Sequence, residues 1–298
     1  MHGLLILLPD FSLIMLGALL RRSLLEAEAF WGGVEKLVYF VLFPALLFKA
    51  LATVDIDASV ALPMFASGLA VMLAGFIYAW LGRPLMGLDS LGFASRLQCA
   101  YRFNTYIGFA IAGKLHGASG IAMMGAMCGA MVPFANIMAV GVLARHGQVG
   151  LLREIARNPL VLATLSGVLF NLTDIPLTEP VEAFLKRTGD AAVALGLLAV
   201  GSALRLRLGS VGGRWLGAGW LILVKLLLVP ATAFLIGRQV GLSGIAFDTL
   251  VLFAALPAAS SAYILAVRMG GDGPGVAWLV SATTLLAVPT LSLWLSLL

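Results

Sequence analysis

The chain has 298 residues, of which 61% are hydrophobic and 11% are charged, and its mean hydropathy is +1.04. Soluble domains are about 25% charged, so this composition excludes a soluble globular protein and predicts an α-helical protein with several membrane spans. The net charge of +5 comes from residues spread over short loops, which excludes the clustered basic face of a nucleic-acid-binding protein.

Apolar runs close to the roughly 20 residues that cross a bilayer recur along the whole chain. The N-terminal residues lack the basic region and cleavage site of a signal peptide, so we expect the first run to be a membrane span. No polar stretch is long enough to hold a soluble domain. The ten predicted spans cover 4–20, 31–52, 58–82, 93–113, 119–144, 158–173, 181–204, 215–237, 246–267 and 274–297.

Basic residues are distributed unequally between the two sets of loops. Cytoplasmic loops carry an excess of Lys and Arg, so the count of twelve against four predicts which side is cytoplasmic. Both termini are then extracytoplasmic in a multi-pass protein of the inner cell membrane. The richer set contains Arg21, Arg22, Lys36, Arg83, Arg96, Arg145, Arg153, Arg157, Arg205, Arg207, Arg214 and Arg268, and the poorer set contains Lys114, Lys186, Arg187 and Arg238.

Two polar interruptions lie inside otherwise apolar spans. Residues 102–106, Arg-Phe-Asn-Thr-Tyr, interrupt the fourth span, and residues 257–263, Pro-Ala-Ala-Ser-Ser-Ala-Tyr, interrupt the ninth. An Arg or Asn at membrane depth is costly unless it faces protein, water or a ligand. Interrupted segments at corresponding positions of two halves indicate the binding site of a transporter.

The two halves of the chain resemble each other. Pro133 and Pro289 are 156 positions apart, and Tyr106 and Tyr263 are 157 apart. Five spans per half is an odd number, so the second half enters the membrane in the opposite sense. We therefore predict inverted repeats at 1–149 and 150–298, with broken helices 4 and 9 crossing near the bilayer midplane. The N-termini of the half-helices there are suited to a carboxylate.

Motifs along the whole chain resemble the auxin efflux carrier family, which includes the plant PIN proteins and bacterial malonate and malate permeases. The resemblance implies ten helices with crossed, broken helices 4 and 9, similar to bile-acid/sodium symporters, and transport of organic anions. It also implies a panel of spans 1, 2, 6 and 7 that supports a homodimer. The matching stretches are 8–11, 16–22, 36–40, 44–48, 102–104, 158–160, 189–192, 199–201, 225–226 with Pro230, and 256–257 with Tyr263.

One departure from the family concerns the break in helix 4. Relatives that resemble the PIN proteins often have a proline there, whereas this chain has Tyr-Ile-Gly-Phe-Ala at 106–110. Asn104 and Gly108 are the residues expected to loosen the helix instead. The break at Pro257 is the better supported of the two.

The candidate substrate-binding residues come from both interruptions. Arg102 is expected to pair with a substrate carboxylate, to cap carbonyl groups at the break, or to extend its charged end to a membrane interface. Asn104 is expected to offer its amide to the same carboxylate, to freed backbone groups, or to both. Ser260 and Ser261 are matching donors, unless they bond carbonyls of their own helix. Tyr106, Pro257 and Tyr263 complete the predicted lining.

Lys225 lies near the centre of the eighth span and requires a partner, a water-filled cavity or neutrality. It is either a second cation for a dicarboxylate or the partner of a carboxylate such as Asp190 or Glu35. Asn136 is interpreted as a helix–helix contact. Residues 270–274 predict a tight turn around Asp272.

Three other functions compete with anion transport by alternating access. A sodium-coupled importer needs several convergent oxygens, and the crossover has no acidic residue, so proton coupling and uniport stay equally open. An intramembrane serine protease is suggested only by Gly-Leu-Ser-Gly at 241–244, without a suitably placed His. A channel is disfavoured by the inverted repeat. The sequence predicts no enzyme activity, no cofactor and no metal site.

Overall fold

The computed structural model describes residues 2–53, 58–143, 159–173, 175–205 and 214–298, and within these ranges it contains helices and no strand. Asp57, Arg145, Arg153, Arg157, Asn158 and Arg207 lie outside the described residues, as does the predicted repeat boundary. The helices are α1 (His2–Ser23), α2 (Glu28–Leu37), α3 (Phe43–Thr53), α4 (Ala58–Leu81), α5 (Arg83–Met86), α6 (Ser90–Leu97), α7 (Thr105–Leu143), α8 (Pro159–Asn171), α9 (Glu179–Ser202), α10 (Trp215–Leu223), α11 (Val229–Val240), α12 (Gly244–Ala255), α13 (Ser260–Arg268) and α14 (Gly273–Leu295).

Several helices are joined without a loop. A π-helical turn, Val38–Leu42, connects α2 to α3, and a second, Val224–Leu228, connects α10 to α11. Five helical stretches of the described residues are long and apolar enough to cross a membrane, or six if the bent pair of α12 and α13 counts as one. The five are Glu28–Thr53, Ser59–Leu81, Ser90–Leu143, Trp215–Val240 and Gly273–Leu295.

α7 is a helical hairpin. Gly117 has a φ of 59° and a ψ of −137°, a left-handed backbone conformation that favours glycine. A Cβ on Gly108 would lie 3.4 Å from Met124 Sδ, and one on Gly113 would lie 3.2 Å from Ile121 Cδ1. The first contact pairs residues nine and seven positions from Gly117, and the second pairs residues four positions from it on either side, so the segments 105–116 and 118–143 run antiparallel.

The helices pack in two groups. α1 packs most extensively on α9, and α3 packs on α8 and α9. Gly17 approaches the Leu198 carbonyl and Gly201 approaches the Ile14 carbonyl so closely that neither position has room for a Cβ. Small residues of this kind allow membrane helices to approach closely. The second group contains α4, α7, α11, α12, α13 and α14, and its buried side chains continue into the first group as one core.

Candidate functional site

The first broken helix is interrupted at residues 101–104, between the 3₁₀ turn Gln98–Ala100 and α7. Asn104 Oδ1 accepts hydrogen bonds from the N–H groups of Tyr106, at 3.1 Å, and Ile107, at 3.3 Å. An Asn in this position caps a helix N-terminus. The first broken helix is therefore interrupted without a proline. The Asn104 side chain instead caps the N-terminus of its second half.

The second broken helix is interrupted at residues 256–259, between α12 and α13, with a bend of 48°. Leu256 has a ψ of 141°, the extended conformation favoured in a residue that precedes proline. The N-cap residue of α13 is Ala259, and no side chain caps this helix. The second break is therefore built by backbone geometry, whereas the first is built by a side chain.

The two breaks are in direct contact. The Asn104 N–H donates to the Pro257 carbonyl at 3.0 Å, and the rings of Phe103 and Phe253 are 4.3 Å apart. Gly108 is helical and buried, and a Cβ there would lie 2.9 Å from Leu256 Cδ1. The expectation that Gly108 loosens the helix is wrong, since Gly108 lies within the helix, and its missing Cβ leaves room for the Leu256 side chain of the other broken helix.

Arg102 lies at this contact and is only 6% exposed. Its Nη1 donates to Ser261 Oγ at 3.0 Å, and its Nη2 donates to Asn136 Oδ1 at 2.7 Å. The guanidinium therefore connects both broken helices to the segment 118–143. A planar guanidinium that holds two neutral oxygens is also able to hold the two oxygens of one carboxylate.

The side-chain amide of Asn104 leaves one donor unused. Its Oδ1 is fixed by two backbone N–H groups, so the orientation of the amide is fixed as well. Its Nδ2 is buried and has no hydrogen-bond partner among the described residues. A buried donor without a partner costs about 1–3 kcal/mol, which a bound acceptor would recover.

Ser260 marks the N-terminus of α13 and lines a cavity of about 160 Å³. N–H groups in the first turn of a helix attract anions, and no side chain caps this one. Tyr263, 37% exposed, lines the same cavity. The remaining lining residues are Arg21, Glu28, Trp31, Gly32, Glu35, Ser202, Ala203, Arg205, Ile264, Ala277 and Val280.

Two other candidate residues lie close to the contact between the two breaks. Tyr106 stacks on Phe43 with ring centroids 4.8 Å apart, at the contact between the two helix groups. Lys225 is 2% exposed, and its Nζ donates to the Ala254 carbonyl at 3.2 Å. A cation suits the partial negative charge at the C-terminus of α12. Neither Asp190 nor Glu35 forms an ion pair with Lys225 in the described structure, so that expected pairing is wrong.

Two residues of the site were missed or underestimated from the sequence. Asn136 binds Arg102 directly and is more than the helix–helix contact expected of it. Thr283 Oγ1 accepts a hydrogen bond from the Ala258 N–H at 3.3 Å and supports the second break. Asn136 was detectable as a lone amide within an apolar span, but nothing in the sequence indicated its partner.

Ion pairs tie the outer ends of the broken helices. Arg96 Nε lies 2.6 Å from Asp272 Oδ2, and His116 Nε2 lies 2.9 Å from Asp248 Oδ2. Asp272 also caps α14 through its bond from Gly275 N–H at 2.9 Å, in agreement with the expected turn. Arg96, in the first half of the first broken helix, is paired with Asp272, which follows the second half of the other. Asp248, in the first half of the second broken helix, is paired with His116, at the end of the second half of the first.

Two alternative chemistries find no support in the described residues. No group of three or more His, Cys, Asp and Glu side chains within the described ranges is arranged to hold a metal ion. In the same ranges no hydrogen bond joins Ser243 to a histidine, and His116 is bound to Asp248.

The comparisons with known proteins agree on a transport function. The family described as "Membrane transport protein" matches residues 145–295. An "Uncharacterized transporter" of Methanothermobacter thermautotrophicus is 26% identical over 95% of this chain and 94% of its own length. A "Putative malonate transporter" of Rhizobium meliloti is 25% identical over 96% of this chain and 93% of its own length.

Proposed function

Because the chain belongs to the membrane transport protein family, the auxin efflux carrier family that its motifs resemble, we propose that it is a secondary active transporter of small carboxylates. The observation that carries this proposal is the contact between the two breaks, where buried Arg102 lies beside the unused donor of Asn104. A buried cation and a free amide donor at the contact between two broken membrane helices support a binding site for an anion.

The spacing of the breaks supports an inverted repeat with ten spans. The first half-helices end at Ala100 and Ala255, and the second begin at Thr105 and Ser260, so both pairs are 155 positions apart. The hairpin reversal at Gly117 supports two spans within the stretch Ser90–Leu143. Alternating access then consists of movement of the crossed helices against the panel of α1, α2–α3, α8 and α9.

The substrate carboxylate is proposed to replace the neutral oxygens that Arg102 now holds. Ser261 would turn its hydroxyl to the substrate, and the α13 N–H groups near Ser260 would face the anion. Tyr106, Tyr263 and Pro257 would form the walls. Lys225 would contribute positive potential through the end of α12 and would not touch the substrate.

The cavity of about 160 Å³ suggests which side is open. Arg21 and Arg205 line it, and the distribution of basic residues predicts that both are cytoplasmic. We therefore interpret this conformation as one in which the crossover is reached from the cytoplasm of a multi-pass inner-membrane protein. A sodium-coupled importer has no specific support, because the crossover itself carries no acidic residue.

Transport by proteoliposomes tests this function. Uptake of labelled malonate, malate and an aromatic carboxylate is measured with imposed proton, sodium and voltage gradients. We expect at least one carboxylate to be transported, and we expect Arg102→Ala and Asn104→Ala each to reduce its uptake by about tenfold or more. Arg83→Ala is the matched control, since Arg83 is exposed and stacks on Trp80 and Phe93. Unchanged kinetics in both crossover variants would disprove the site, and failure to transport any carboxylate would disprove the substrate class.

A further inference from the structure

The cavity beside the crossover contains a carboxyl group that the proposed anion site does not use. Glu35 lies inside Glu28–Thr53, one of the helical stretches long and apolar enough to cross a membrane, and is partly buried. Its side chain lines the cavity together with Ser260, the first residue of α13. Glu35 therefore faces the same space through which a substrate would reach the second break.

The charge of Glu35 is not compensated by a direct partner. No ion pair or side-chain hydrogen bond involves Glu35 in the part of the chain that the structure describes. Glu28, two helical turns away on the same face of α2, lines the same cavity and lies 3.8 Å from Arg205. The two glutamates of α2 therefore differ, because Glu28 is exposed and paired with Arg205, whereas Glu35 is partly buried and forms no ion pair among the described residues.

Titratable and charged groups of several elements line the same cavity as Glu35 or lie near it. Arg21 of α1 and Arg205 after α9 are the cations of this cavity, and Arg205 is engaged by Glu28. Tyr106 of α7 lies in the neighbourhood of Glu35 and Tyr39. Tyr263 of α13 completes the set. Glu35 is thus connected to both proposed walls of the anion site.

We propose that Glu35 binds the proton that this transporter carries together with its anion, an inference that rests on the proposed function. An ionised carboxyl without a partner is costly in a membrane segment. An anion that enters the cavity adds a second negative charge, and like charges close together favour protonation of one of them. The proton comes from water on the side where the anion enters and leaves to water on the side where the anion is released.

Coupling between proton binding at Glu35 and anion binding then follows, because each must change the affinity for the other equally. If the anion increases the affinity of Glu35 for a proton, a proton on Glu35 increases the affinity for the anion by the same factor. One proton would accompany each anion, since Glu35 is the one unpaired acidic side chain among the described residues that line the cavity. Sodium would not substitute, because it needs several oxygen ligands around one point.

Proton uptake on binding tests this proposal directly. Malonate is added to the purified full-length protein at neutral pH in weak buffer, and a pH indicator reports protons taken from solution. We expect about one proton per bound malonate for the wild type and none for Glu35→Gln. Glu28→Gln is the matched control and should behave as the wild type. Equal thermal unfolding temperatures for the three proteins show that the substitutions do not disturb folding.

A transport assay separates coupling from binding. Glu35→Gln should still exchange labelled malonate across the membrane, but it should lose accumulation driven by a proton gradient. Replacing sodium by potassium should change malonate transport by neither the wild type nor Glu35→Gln. The same measurement is made with malate and the aromatic carboxylate, and if none of the three binds the wild type, the proposed function and this inference are both wrong. If malonate binds without proton uptake, or if Glu35→Gln still takes up a proton or accumulates malonate, only this inference is wrong.

Discussion

The two broken helices are interrupted by different means although their breaks have equal length. The first break has a buried cation, Arg102, and a side-chain cap, Asn104. The second has neither, and depends on Pro257 and on an uncapped N-terminus at α13. One break therefore supplies a charge and the other an uncapped helix N-terminus, and the proposed anion site would use both.

The two ion pairs at the outer ends of the broken helices also differ from each other. Arg96, with a side chain 3% exposed, is permanently charged and pairs with Asp272. His116, with a side chain 24% exposed, pairs with Asp248 and is charged only when protonated. Loss of Asp272 leaves the buried, permanently charged Arg96 without its partner, whereas loss of Asp248 leaves no permanently charged side chain unpaired.

The largest effect is expected for Asp272→Ala. Removing one partner of a buried ion pair costs about 3 kcal/mol or more, because the remaining charge is uncompensated. The Asp272 cap on α14 is lost as well. The free energy of unfolding, measured by SDS titration in mixed micelles, should fall by about that amount.

Asp248→Ala is the matched change at the His116–Asp248 pair. It should lower the free energy of unfolding by about 1 kcal/mol, since it leaves no permanent charge without a partner. If Asp272→Ala and Asp248→Ala lower the free energy of unfolding equally, the proposed difference between the two ion pairs is wrong.

The next effect concerns the shape of the cation at the first break. Arg102→Lys retains the charge but loses the planar fork that reaches Ser261 and Asn136 together. We expect kcat/KM for malonate to fall about 30-fold, or roughly 2 kcal/mol, with little loss of stability. Counterflow kinetics in proteoliposomes measure the ratio, and activity equal to wild type would show that only the charge of Arg102 matters.

Asn104→Asp separates capping from binding at the first break. Aspartate caps helices as well as asparagine does, so the unfolding free energy should change by less than about 0.5 kcal/mol. The donor Nδ2 is replaced by a negative oxygen, so malonate affinity should fall by about tenfold or more. Asn104→Ala should reduce both. If Asn104→Asp binds malonate normally, the unused amide donor is not part of the site.

Much of this asymmetry is visible in the sequence. The hydropathy pattern predicts membrane helices, and the polar residues at 102–106 and 257–263 indicate both breaks within a few positions. Even the cap at Asn104 uses local chemistry, because an Asn before a helical run is a start signal with or without a proline. The contact of Arg102 with Ser261 follows from placing the two interruptions opposite each other.

Contacts between distant spans were not predictable in this way. Arg102 binds Asn136, Lys225 binds the Ala254 carbonyl, and Arg96 binds Asp272, which is 176 positions away. Such partners depend on how the helices rotate and cross, and no local pattern encodes that. Gly108 shows the same limit, since the absence of a proline suggested that it loosens the helix, whereas it is helical and packs against Leu256 of the other broken helix.

The smallest effect should have opposite signs for stability and binding. Ala259→Ser places a capping hydroxyl at the bare N-terminus of α13, which should raise the unfolding free energy by about 0.5–1 kcal/mol. The new oxygen occupies an N–H group that the anion is proposed to use, so malonate affinity should fall by about threefold. Isothermal titration and SDS unfolding on the same preparation measure both quantities. A variant that gains stability and retains full affinity would show that the second break contributes no N–H group to the substrate, leaving the first break as the whole anion site.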